Sequence, residues 1–172
     1  MLRPLIEAML RAIGKNAKIR VCTNPRLGGI HQALRWDRIE EIIDRYRGMV
    51  DLFLLCVDRD GDPNRRQALD NIEQNAANML PPNKQFLAEH AWQEIEVWVL
   101  AGHKLPAKWV WQTIRADIHP KELYFLPFAE QRNLWNEPGE GRKTLAQEAA
   151  GQYSRIRQLC PEVAALEARI SV

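Results

Sequence analysis

Five acidic residues stand in two tight groups: Asp58, Asp60 and Asp62 within Asp58-Arg59-Asp60-Gly61-Asp62, and Glu94 and Glu96 within Glu94-Ile95-Glu96. Carboxylates held this close repel one another unless a cation sits among them. Their oxygens are hard donors, which favours magnesium or manganese over zinc or copper. All five are therefore candidate metal ligands. An ion held there would polarise a phosphate ester, help to generate hydroxide from water and steady the leaving oxygen. On one helix the two glutamates project about 200° apart, so both reach a single ion only if the helix begins between them. Asp62 serves equally well as a third ligand or as the cap of a helix begun by Pro63.

Both groups follow apolar runs. Val50-Asp51-Leu52-Phe53-Leu54-Leu55-Cys56-Val57 is almost unbroken in apolar character, as in a parallel strand buried on both faces. In open α/β sheets ligands sit in the crevice outside the carboxyl ends of the strands, and the aspartates fall there. Residues 85–91 read as another strand and 92–101 as the helix after it, so a second strand end delivers Glu94 and Glu96 to the same crevice. Residues 36–48, with Asp37 as N-cap, and 65–80, closed by Pro81-Pro82, read as the helices around the central strand. Residues 18–23 alternate like a further strand, and Asn24-Pro25-Arg26-Leu27-Gly28-Gly29 breaks into a loop.

Leu2, Leu5, Ile6, Met9, Leu10 and Ile13 mark an amphipathic opening helix that stops at Gly14. The alternation of helix and strand predicts an α/β fold, a parallel sheet with helices on its faces and right-handed crossovers. Such a domain enters its first helix from a strand, so a strand is expected upstream of Met1. From Gly102 the pattern becomes helical: a Trp-rich helix over 106–116, a turn over 136–141, a helix over 144–160 capped by Thr144, and another begun by Pro161. The reading is one domain over 1–172, with an α/β core over 1–101 and a helical C-terminal extension over 102–172.

Competing uses of the aspartate turn fit poorly. An EF-hand loop opens D-x-D-x-D, but its twelfth position here is Leu69, where a bidentate glutamate is required. A phosphatase with a nucleophilic aspartate places its strand near the N-terminus and follows it with Thr or Val, and Gly61 departs from that. Chain length (172 residues), 46% hydrophobic content and 27% charge suit a globular protein with a real core, and a net charge of +2 is too small to announce nucleic-acid binding. Cys22, Cys56 and Cys160 are odd in number and set among apolar neighbours, which predicts buried thiols in a reducing compartment. No apolar run reaches the roughly 18 residues of a membrane span, so a cytoplasmic protein is expected. Trp92, Trp98, Trp109, Trp111 and Trp135 read as core and partner-facing surface. The four histidines lack zinc-ligand spacing, and His90 is the one placed to support the acidic helix.

Val57-Asp58-Arg59-Asp60-Gly61-Asp62 followed by Glu94-Ile95-Glu96-Val97-Trp98-Val99-Leu100 resembles a family of small Toprim-like proteins, related to the OLD-type nucleases, found beside an ATPase and linked to defence against phages. Gly141-Arg142-Lys143 and Cys160-Pro161-Glu162 are similar to that family's later segments, so the resemblance covers most of the chain. It implies a Toprim-like sheet and a nuclease dependent on magnesium or manganese, in which Asp58, Asp60 and Glu96 hold the ion. Lys143 or Arg142 would offset charge on the scissile phosphate. Implied partners are nucleic acid (DNA or RNA) and an ATPase subunit, with self-association as a further option and no membrane. The Toprim glutamate belongs on the expected upstream strand, and Glu7, in mid-helix, does not take that role. A non-catalytic binding or regulatory subunit with the same fold is the alternative.

Overall fold

Two parallel strands, β1 (Leu52–Asp58) and β2 (Gln85–Ala91), lie side by side, in register from Leu52 opposite Gln85 to Asp58 opposite Ala91. The computed structural model describes residues 1–171. Parallel strands need a crossover, and α4 (Arg65–Met79) supplies it, while α3 (Trp36–Tyr46) leads into β1. The short α2 (Ile30–Ala33) lies against β1.

The pleat sends alternate side chains into two cores. Phe53, Leu55 and Val57 meet Ile39, Ile43, Leu69, Ile72 and Phe86 on the face covered by α3 and α4. Leu52, Leu54 and Cys56 pack against the other cluster, built around Met9, Trp98, Leu100, Phe125 and Leu166. This explains the unbroken apolar run, because one face of β1 is buried and the other partly so, each against an apolar cluster. The second cluster draws on α1 (Leu2–Ala12), α5 (Glu96–Ala101), α6 (Trp111–Ala116), a π-helical turn (Lys121–Phe125) continuing as α7 (Leu126–Gln131), α8 (Arg142–Ala150), α9 (Tyr153–Leu159) and α10 (Pro161–Ser171). Trp98 is its largest member, 1% exposed, with its indole N–H donating to Glu162 Oε1 at 2.9 Å. Where α5 ends on α8, a Cβ on Gly102 would stand 2.6 Å from the Ala149 backbone, so the two elements touch only because that position has no side chain.

The mixed α/β class, the parallel sheet and the flanking helices agree with the sequence, and several details do not. Residues 18–23 form no strand, and Val21 is 65% exposed. Alternation alone cannot hold a strand; it needs a ladder partner, and none lies alongside. Cys22 is exposed rather than buried for the same reason. The helix expected over 92–101 begins only at Glu96, and that over 106–116 only at Trp111. The helix over 144–160 is two helices broken around Gly151 and Gln152. Thr144 lies inside the first of them, which starts after Gly141, and donates to Glu137 at 2.6 Å instead of capping. Asp37 falls within the first turn of α3 and pairs with Arg35 rather than acting as N-cap. No helix is long and apolar enough to cross a membrane among the described residues.

Candidate functional site

The aspartate turn is clamped by a single residue from the end of the neighbouring strand. Gln93 accepts the N–H groups of Arg59 and Asp60 on its carbonyl, at 2.7 and 3.1 Å, and that of Gly61 on Oε1 at 2.8 Å. Meeting all three requires positive φ at Gln93 (73°), Asp60 (51°) and Gly61 (68°). Glycine adopts this freely and aspartate tolerates it, whereas for glutamine it costs about 1 kcal/mol or more, offset by the hydrogen bonds it makes possible. The strained residue is also why α5 cannot begin at Trp92.

Arg65 lies buried beneath the turn. Its Nη2 donates to the Arg59 carbonyl at 3.3 Å and stands 3.6 Å from the Asp62 carboxylate, while its Nε has no hydrogen-bond partner. Asp62 accepts the N–H of Asn64 at 2.8 Å, which shapes the turn ahead of α4; the N-cap position is Asn64, and no side chain caps the helix. The capping role open to it in the sequence is thus not the one it takes, since it stands two residues ahead of the N-cap.

Asp58 closes β1, and its Oδ1 accepts the Ile95 N–H at 2.8 Å. Burial pushes its carboxyl up to about 6, with Glu96 and Asp60 raising it further against the pull of that hydrogen bond and of Arg65. Glu94 goes further. Burial lifts it to about 7, with Glu96, Glu122 and Asp58 adding to the rise, although its Oε2 accepts the Lys121 N–H at 2.7 Å. Because α5 starts at Glu96, the helix begins between the two glutamates, which is the condition for both to face one place. Glu96 itself is buried and ion-paired to Arg142 Nε at 3.0 Å, and Arg142 also grips Glu140. The Met1 amino group is close enough to feel both Glu96 and Arg142. Asp60 points outward from the turn and is exposed, as is Lys143. His90 is buried, burial lowers its pKa, and its Nδ1 has no partner.

The structure thus brings Asp58, Asp60, Glu94 and Glu96 to one edge of the sheet, with Asp62 at its margin; Lys143 is exposed on α8, and it is the neighbouring Arg142 that reaches Glu96. Among the described residues, no three His, Cys, Asp or Glu side chains converge closely enough to form a ready cation cage. The donor chemistry nevertheless suits a hard cation: Asp58 and Glu94 each keep one carboxylate oxygen outside the hydrogen bonds described above, and each is held protonated more readily than usual by burial first and by its acidic neighbours second. Sequence reasoning missed the buried Arg65, the clamping role of Gln93 and the Glu96–Arg142 pair. Only the last left a signal, in the Gly141-Arg142-Lys143 segment. Comparison of the chain with protein-family models, with curated proteins and with solved structures gave no match.

Proposed function

We propose that the chain is a Toprim-like protein that binds magnesium or manganese at the carboxyl edge of β1 and β2 and hydrolyses phosphodiesters in nucleic acid. The observation that carries the reading is the set of acids at two adjacent strand ends, with the Asp58 and Glu94 carboxyls lifted to about 6 and 7 by burial and by one another. Groups lifted in this way gain most from a nearby cation. Asp58 and Asp60 would hold the ion, with Glu94 beside them. A bound magnesium supplies Lewis acidity toward a phosphodiester and an activated water. The chain's own part is positional: Gln93 fixes the turn, the Ile95 N–H orients Asp58, and Lys143 offers an exposed positive charge toward a phosphate. A cytoplasmic location and an ATPase partner in phage defence belong to the same proposal.

The test is endonuclease activity on single- and double-stranded DNA and RNA with magnesium or manganese. Asp58→Asn and Asp60→Asn are expected to lower it at least about 100-fold, with the circular dichroism spectrum unchanged. Activity that survives both substitutions would refute the assignment. One observation favours a second reading, a regulatory subunit that keeps the fold without cleaving: Glu96 is already neutralised by Arg142. Titration calorimetry separates the two, since a chain that takes up neither ion at millimolar concentration is no metal-dependent catalyst.

A further inference from the structure

Trp92 follows β2 directly and lies beside the aspartate turn, and the acids of that edge make no use of it. The Arg59 guanidinium lies over its indole, 3.8 Å from the ring centroid, and that of Arg115, from α6, stands 5.7 Å from it. One carboxylate fixes this arrangement. Glu162, its side chain 8% exposed, accepts the Trp92 N–H at 3.2 Å and takes Arg115 on both oxygens, Nη1 at 3.1 Å and Nη2 at 2.6 Å, besides holding the Trp98 indole. The backbone of Trp92 and the guanidinium of Arg115 are therefore set before any ligand arrives.

Arg115 is neutralised by this pairing; Arg59 is not. It sits between Asp58 and Asp60 in the chain, yet among the described residues it forms no ion pair with either or with any other carboxylate, and its Nε donates only to the Asp62 carbonyl, at 3.4 Å. An open hollow of about 340 Å³ lies between Trp92 and Gln112, Arg115 and Ala116 of α6, within the size range of small-ligand clefts. Arg59 is not among its walls, so the surface of Trp92 that faces α6 is left uncovered. Gln112 is exposed there and carries both an amide donor and an acceptor. The hollow adjoins the acidic turn, because a Cβ on Gly61 would stand 3.1 Å from Ile118 Cγ2 in the loop after α6.

We infer that Trp92 is a stacking platform for an unpaired base of single-stranded nucleic acid, seated in the hollow against α6, with Arg59 on an adjoining phosphate. This names the substrate class of the site proposed above and rests on that reading for its choice of nucleic acid. An indole offers a π face that any base can use. Bases inside a duplex are covered by their neighbours, which keeps double strands out of the hollow. The unpaired charge of Arg59 and the amide of Gln112 suit a polyanion whose rings have polar edges. Asp60 and Asp117, next in the chain to Arg59 and Ala116, repel its backbone, so affinity depends first on the stacked base.

Fluorescence anisotropy of a labelled oligothymidylate of twelve residues, in EDTA, tests the platform apart from cleavage. Trp92→Leu keeps apolar volume without a ring and weakens binding about 10-fold or more, whereas Trp92→Phe stays within about 3-fold of the parent. Arg59→Ala weakens binding and lowers the slope of log affinity against log salt by about one between about 50 and 200 mM. It breaks no ion pair, and it carries the test if circular dichroism shows Trp92→Leu to be unfolded. Four results would overturn the inference: no binding by the parent, parental affinity in Trp92→Leu, a duplex of the same length bound as tightly, or a polyglutamate peptide that competes as well as unlabelled strand, which would leave charge alone as the basis. A chain that binds the strand and cleaves nothing when magnesium is added keeps the platform and loses the metal reading. One that cleaves while its Trp92→Leu form binds like the parent keeps the metal and loses the platform.

Discussion

Asp58 couples the acidic edge to pH. Its native carboxyl titrates near 6 because burial disfavours the anion, whereas in the unfolded chain it titrates near 3.8. An acid raised in this way adds stability in its protonated form, present in full below the unfolded value and lost as pH rises through about 6. Asp58→Asn keeps the acceptor for the Ile95 N–H and removes the charge. The variant is expected to melt at the same temperature as the parent near pH 4 and above it at pH 8, as followed by circular dichroism. Glu94 shifts in the same sense between 4.5 and about 7. If the proposed cation site is correct, magnesium raises the melting temperature of the parent more at pH 8 than at pH 5.5, because protons compete for the same oxygens, and it raises that of Asp58→Asn less at both. Arg142 is the counterweight. Arg142→Ala leaves Glu96, 6% exposed, without its ion-pair partner, and is expected to cost about 3 kcal/mol in urea unfolding, much of it recovered by adding Glu96→Gln.

At the scale of elements, the contact of α5 with α8 is set by one missing methyl. Gly102→Ala would drive a Cβ to 2.6 Å from Ala149 backbone, where no flexible side chain can yield, and a loss of about 2 kcal/mol or more is expected, whereas Gly48→Ala, with open space around it, leaves denaturant midpoints nearly unchanged. The strands and the helix between them were legible in the sequence because their apolar periods are long and β1 is apolar throughout. Helix starts were less so, since each depended on contacts between residues far apart in the chain. Trp92 looks helical until Gln93 is recruited to hold Arg59, Asp60 and Gly61, and Thr144 looks like a cap until Glu137 takes its hydroxyl. Residues 18–23 show the opposite limit, where a strand-like local pattern has no neighbour to pair with and forms no strand. The acids at the strand ends could be placed from sequence, but the arginine under the turn could not, because nothing in Asn64-Arg65-Arg66 tells which arginine goes inward.

At the scale of the whole molecule, a very small sheet divides two hydrophobic cores and is fixed on one side by charge. Glu73 stands at the centre of that fixation, accepting the Ala88 N–H and pairing with both Arg66 and Arg169, so it ties α4, β2 and α10 together. Glu73→Ala frees a backbone donor and removes one carboxylate from each of two guanidinium groups, which keep Glu89 and the Ala88 carbonyl. The expected loss is about 2–4 kcal/mol, larger than for removal of a surface pair such as Arg3 with Glu7, and differential scanning calorimetry of the two variants makes the comparison. The ionic border along β2 has a consequence for how copies of the molecule can grow into larger bodies. Stacking into an endless ribbon needs two sticky flanks per copy, and here the middle of one flank is occupied by salt-bridged side chains. Where Glu73, Arg66 and Arg169 hold both backbone groups of Ala88, an incoming strand finds nothing to pair with, which obstructs growth of so apolar a centre into fibres along that flank.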